Sequence, residues 1–125
     1  MKREWVVVLV IVSLLLFFCS RFSTQNLPDK GIAILSPKAN DVVPAGASSE
    51  IQWKVEDSDP EFGAVVTVEF SKDGGKSWEM VEENLPKVGK YLWKVPKLDS
   101  AQCMIRVFSQ RRAEYRGTSG VFTVK

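Results

Sequence analysis

The sequence predicts an all-β chain, a seven-stranded β-sandwich behind an N-terminal hydrophobic signal or anchor helix. Three observations lead there. From Ile32 onward apolar residues recur with period two, the pattern of strands with one buried face. Gly, Pro, Asn, Asp and Ser break these runs at short intervals across about 95 residues. No segment beyond the leader carries the i, i+3, i+4 spacing of an amphipathic helix.

The leader comes first in chain order. Lys2 and Arg3 precede a nearly unbroken apolar run of 14 residues, Trp5 to Phe18. A membrane span takes roughly 20 residues, so this run has the length of a signal-peptide core. A buried core helix is disfavoured, because the run has a positive flank and no polar face. Three fates fit the segment. Leu16-Phe17-Phe18-Cys19 resembles a bacterial lipobox, with Cys19 as the lipidation site, although Phe18 stands where a small residue is usual. Ser20-Arg21-Phe22-Ser23 offers small residues for ordinary cleavage. The segment can also stay uncut as an anchor, its positive residues inside. Each fate puts the remainder outside the cytoplasmic membrane, either secreted or membrane-tethered through its N-terminus. Residues 1–19 are therefore read as signal peptide or anchor, 20–31 as a polar linker and 32–125 as the folded domain.

Seven strands follow. Residues 32–35 (IAIL) are stopped by Ser36-Pro37, and KANDVVPAG reads as turn and edge material. Residues 50–55 put Ile51, Trp53 and Val55 on one face. VEDSDPEFG is an acidic loop. Residues 64–71 put Val66, Val68 and Phe70 together, opposite Val65, Thr67 and Glu69. In residues 77–83, Trp78 and Val81 cannot share a face without a bulge. Residues 90–95 align Tyr91, Trp93 and Val95, and Pro96 ends that strand. Residues 102–109 align Cys103, Ile105 and Val107, and residues 120–124 close the chain with Phe122 and Val124. Trp53, Trp93, Tyr91, Phe70 and Phe122 are the large groups expected to dominate the interior.

Between two of these strands stands SKDGGKSW, residues 71–78. Ser71, Asp73, Gly75 and Trp78 fit the Asp-box pattern known from sialidases. A folding reason suffices for it. Asp-Gly and Gly-Gly supply the positive φ of a tight hairpin, and the Asp73 carboxylate can accept turn N–H groups. A sialidase propeller repeats the box over several blades, and one domain of this length cannot build one. Glycoside hydrolysis also requires paired carboxylates at set separations.

The remaining chemistry is sparse. The chain has no histidine, which removes Ser-His, Cys-His and His-metal arrangements. Cys103 sits among core residues of a strand and reads as packing. No enzyme activity, cofactor or metal is expected. Glu56, Asp57, Asp59 and Glu61 crowd one loop, whose oxygens could hold Ca²⁺ but lack the EF-hand spacing. Without Lys2, Arg3 and Glu4 the chain carries 15 basic and 14 acidic residues, too balanced for a general nucleic-acid binder. SQRRAEYRGTSG (109–120) is the most interesting loop. Arg111, Arg112 and Arg116 suit anionic groups, and Tyr115 offers a sugar-stacking face, so these four are the candidate ligand-binding residues.

Several segments resemble a known family in order: ILSP (34–37), AGASSEIQWKV (45–55), VTVEFSKDGGKSW (66–78), LPKVGKYLWKVP (85–96), CMIRV (103–107) and TSGVFTV (118–124). Together they resemble the Ig-like, fibronectin-III-like domain of fungal Ser/Thr-rich cell-wall proteins linked to β-1,6-glucan assembly, which recurs in bacterial surface proteins. The resemblance spans about three quarters of the chain. It implies an Ig-like sandwich at the cell surface, usually non-enzymatic, and carries over no binding site. The expected role is a cell-envelope accessory or protein-interaction module, with cell-wall polysaccharide as the alternative partner.

Overall fold

The computed structural model describes residues 28–56, 60–87 and 89–125. The leader, Cys19, the linker up to residue 27, and Asp57 and Asp59 of the acidic loop lie outside them. Nine strands are present among the described residues: β1 (Ile32–Ser36), β2 (Val42–Val43), β3 (Ser48–Val55), β4 (Val65–Ser71), β5 (Glu79–Pro86), β6 (Gly89–Lys94), β7 (Ser100–Ser109), β8 (Arg116–Thr118) and β9 (Phe122–Val124). They form two sheets. One has the order β1-β3-β6, the other β2-β9-β7-β4-β5, with β8 also pairing β7. The fold is an all-β sandwich.

The seven expected segments all form strands, and two short strands were missed. β2 lies in the stretch read as turn and edge; it runs parallel to β9, with Val42 opposite Thr123 and Val43 opposite Val124. The chain passes from β1 in one sheet to β2 in the other, and the Ser36–Pro37 bond between them is cis. β8 lies inside the stretch read as a loop. Arg116, Gly117 and Thr118 face Phe108, Val107 and Arg106 of β7. β8 and β9 pair successive parts of β7 on the same side, interrupted where Ser119 turns inward. Its Oγ accepts from the Ile105 N–H at 2.9 Å, and its own N–H donates to the Ile105 carbonyl at 2.8 Å.

The interior holds the residues that alternation placed there. Trp53, Phe70, Trp93, Val95, Cys103, Ile105, Val107, Phe122 and Val124 are buried. Trp93 joins both sheets, with its ring 5.0 Å from Phe70 and 6.4 Å from Phe122, the latter edge to face. Trp53 donates its Nε1–H to the Lys87 carbonyl at 2.9 Å, so this buried indole leaves no polar atom unpaired. Tyr91, expected inside, is half-buried against the core edge. Phe62 was not expected at all. It sits in a short 3₁₀ turn, Pro60–Phe62, and is fully buried.

β5 resolves the conflict between Trp78 and Val81. Glu69 pairs with Met80 and Val68 with Glu82, so Val81 is an extra residue on β5. A second bulge follows, where Asn84 takes φ 59°. Trp78 and Val81 do not share a face: Val81 packs on the core while Trp78 lies on the outer face.

The folded unit also begins earlier than Ile32. Lys30 and Gly31 bridge to Arg116, and Asp29 accepts the Thr118 N–H at 3.2 Å. Residues expected in a linker are thus fastened to β8. No helix among the described residues is long and apolar enough to cross a membrane.

Candidate functional site

Three places in the fold bear on function: the β4–β5 turn, the β7–β8 loop and the open side between β5 and β6.

The turn holds the Asp-box residues. Ser71 Oγ donates to Asp73 Oδ1 at 2.7 Å and accepts from the Gly75 N–H at 2.8 Å. Asp73 Oδ1 accepts the Ser77 N–H at 2.9 Å, and Oδ2 accepts the Ser77 hydroxyl. These bonds, led by the Ser77 hydroxyl, hold the Asp73 carboxyl down at about 2, against an ordinary 3.8. Gly74 and Gly75 have φ of 72° and 90°, conformations that L-residues avoid. Gly74 N–H donates to the Gln102 carbonyl at 2.7 Å, and Ser100 Oγ to the Lys72 carbonyl at 2.7 Å, which staples the turn to β7. Asp73 is therefore an ionised acceptor inside a turn. A general acid needs its proton near neutral pH. Trp78 lies beside the Arg106 guanidinium, 4.1 Å from the ring centroid, and Arg106 Nε donates to Glu69 Oε1 at 3.0 Å.

The β7–β8 loop corrects the sugar-binding expectation. Tyr115 is 4% exposed. Its ring packs on Phe62 at 5.6 Å, and Lys30 Nζ covers it at 4.6 Å. No open face is left for a sugar to stack on. Arg116 is 6% exposed and belongs to β8, where Nε donates to the Ala113 carbonyl at 2.9 Å. Burial, and then the nearby Arg106 charge, push its guanidinium pKa down. Arg112 is exposed but neutralised. Its Nε donates to Glu114 Oε1 at 2.7 Å, and Nη1 reaches Glu61 Oε2 at 3.3 Å. The Glu114 hydrogen bond and charge raise its pKa further. Arg111 is exposed, with its stem lying over Gly63. The four residues do not converge on one ligand position, and three of them serve the loop's own architecture.

Glu61 of the acidic loop is engaged by Arg112, and no group of three or more Cys, Asp or Glu able to hold a metal occurs among the described residues. Cys103 is buried, donates to the Ser100 carbonyl at 3.4 Å, and has its thiol pKa raised by burial. Such a thiol is a poor nucleophile.

Which strands form the open side was not legible in the sequence. β5 ends one sheet and β6 ends the other. Between them runs a cleft of about 230 Å³ lined by Phe70, Glu79, Met80, Trp93, Lys94 and Pro96. Met80 is 60% and Leu92 66% exposed, the two most exposed large apolar residues among those described. The period-two pattern shows which residues face outward, but a strand's place at a sheet edge is set by topology.

No family model matches the chain, so the resemblance to the fungal cell-wall family stays one of sequence pattern. No curated protein matches it either. Among solved structures, the chain is similar to one described as "Structures of Clostridium thermocellum CbhA fibronectin(III)-like modules", at 21% identity and a TM-score of 0.46, over 75% of this chain and 94% of that one.

Proposed function

We propose that this chain is a non-catalytic, Ig-like or fibronectin-III-like module of the cell envelope, held outside the cytoplasmic membrane by its N-terminus and working through protein contacts. One observation carries the reading: the open side, where two strand edges flank a cleft lined by the exposed Met80 together with Glu79 and Lys94, and where Leu92 stands exposed on β6. Unpaired strand edges offer backbone N–H and C=O groups to a partner, and exposed apolar side chains add the area that contacts require. The extracytoplasmic placement is supported by the basic start and apolar run of the leader. The sugar-binding alternative loses its stacking platform with the burial of Tyr115.

The test is capture from crosslinked envelopes with the tagged full chain, alongside retention on cell-wall polysaccharide and peptidoglycan. The reading expects a protein partner whose capture falls when Met80→Asp places a charge on the exposed wall of the cleft. Saturable polysaccharide retention with no protein captured would overturn it.

A further inference from the structure

β5 and β6 differ in charge as well as in sheet. β5 exposes Glu79, Glu82 and Glu83, whereas β6 exposes Lys90 and Lys94. Among the described residues none of the three glutamates, nor Lys94, has an ion-pair partner within 4.0 Å, and Lys90 reaches Glu50 at 4.0 Å while largely exposed. Glu79 and Lys94 line opposite walls of the same cleft. The start of β5 and the end of β6 meet there, and two residues, 87–88, join their other ends. The two strands therefore run antiparallel along the open side, an acidic rail beside a basic one.

From this we infer that the partner on the open side is a second copy of the chain, docked about a twofold axis parallel to the strands. The inference rests on the protein-contact reading above and names the partner class. In a closed dimer the same patch serves both copies. An axis across the strands would set β5 on β5, acid against acid. An axis along the strands sets β5 of each copy beside β6 of its partner, so Glu79, Glu82 and Glu83 face Lys90 and Lys94 twice over. The neighbouring strands are then antiparallel, which lets each sheet of one copy continue into a sheet of the other. Met80 and the walls of the cleft are covered in the process. Charge complementarity of this kind fixes register and rejects the alternative axis.

The test uses the full chain carrying either of two affinity tags, co-expressed and solubilised in mild detergent. Wild-type copies co-purify, and the yield falls as salt rises from about 0.05 to 0.5 M, as screening of exposed charges requires. Glu79→Lys with Glu82→Lys loses co-capture, and so does Lys90→Glu with Lys94→Glu. Co-expressing one reversed variant with the other restores it, because the two rails are again opposite; restoration also shows that both variants fold. Four results would overturn the dimer: no wild-type co-capture, co-capture indifferent to both reversals, co-capture indifferent to salt, or no restoration in the mixed pair. If copies do not associate but the reversals abolish capture of an envelope protein, the dimer is wrong and the protein-contact reading stands. If neither copies nor an envelope protein are captured, both fall.

Discussion

Asp73 binds its own turn so completely that its chemistry is spent there. Its carboxyl is held at about 2 by Ser77 and Ser71, below the ordinary 3.8. As pH falls, the unfolded chain takes up this proton before the native state does. The stability Asp73 provides is therefore whole above about pH 4 and is lost as pH drops through about 2. Urea unfolding of wild type and Asp73→Asn between pH 2 and 6 checks this: the gap between them should be constant above about pH 4.5 and close toward pH 2. A gap that persists unchanged at pH 2 contradicts the account of the turn. In the core, Trp53→Ala or Trp93→Ala should cost about 3–5 kcal/mol, lowering the melting temperature by roughly 10 °C or more. A melt within a degree or two of wild type would remove that tryptophan from the core. The Asp-box was legible in the sequence because its bonds are local, joining Ser71, Asp73, Gly75 and Ser77. Tyr115 was misread because its burial is not local. Phe62 and Lys30, both distant along the chain, close over its ring.

At the scale of elements, what alternation recorded was recovered and what pairing alone decides was not. β3, β4, β6 and β7 announce themselves by period two, and most of their inward residues are buried, although Tyr91 is only half-buried and the outward Thr67 and Arg106 are buried too. β2 and β8 are two and three residues long, too short for any period to show. They exist because β9 and β7 offer them hydrogen bonds. β8 also depends on close approach. A Cβ on Gly117 would stand 2.5 Å from the Ile32 carbonyl oxygen, a backbone atom that cannot swing aside. Gly117→Ala should therefore destabilise the domain by about 1–3 kcal/mol, read as a lower urea midpoint. A midpoint equal to wild type would mean that β1 and β8 are not packed as described. The pattern of residues 77–83 left open whether Trp78 or Val81 faces inward, and neither the bulge at Val81 nor the one at Asn84 carries a sequence signature.

Across the whole molecule, the two sides of the sandwich differ in how the chain runs across them and in their charge. On one side the chain crosses from β1 to β2, which end the two sheets there, and β1 lies against β8, with Gly117 close to the Ile32 carbonyl. On the open side β5 and β6 end their sheets with unused edges, a cleft and opposed rows of charge. The loop that looked most like a ligand site is consumed by internal bonds, with Arg112 neutralised by Glu61 and Glu114. The functional surface is therefore expected on the strand edges. Site-specific photocrosslinking in intact cells tests this most directly, with the crosslinker placed at Met80, Leu92 or Arg112 of the full chain. The account predicts protein adducts from Met80 and Leu92 and none from Arg112. Adducts confined to Arg112, with Met80 and Leu92 silent, would contradict it and return attention to the β7–β8 loop.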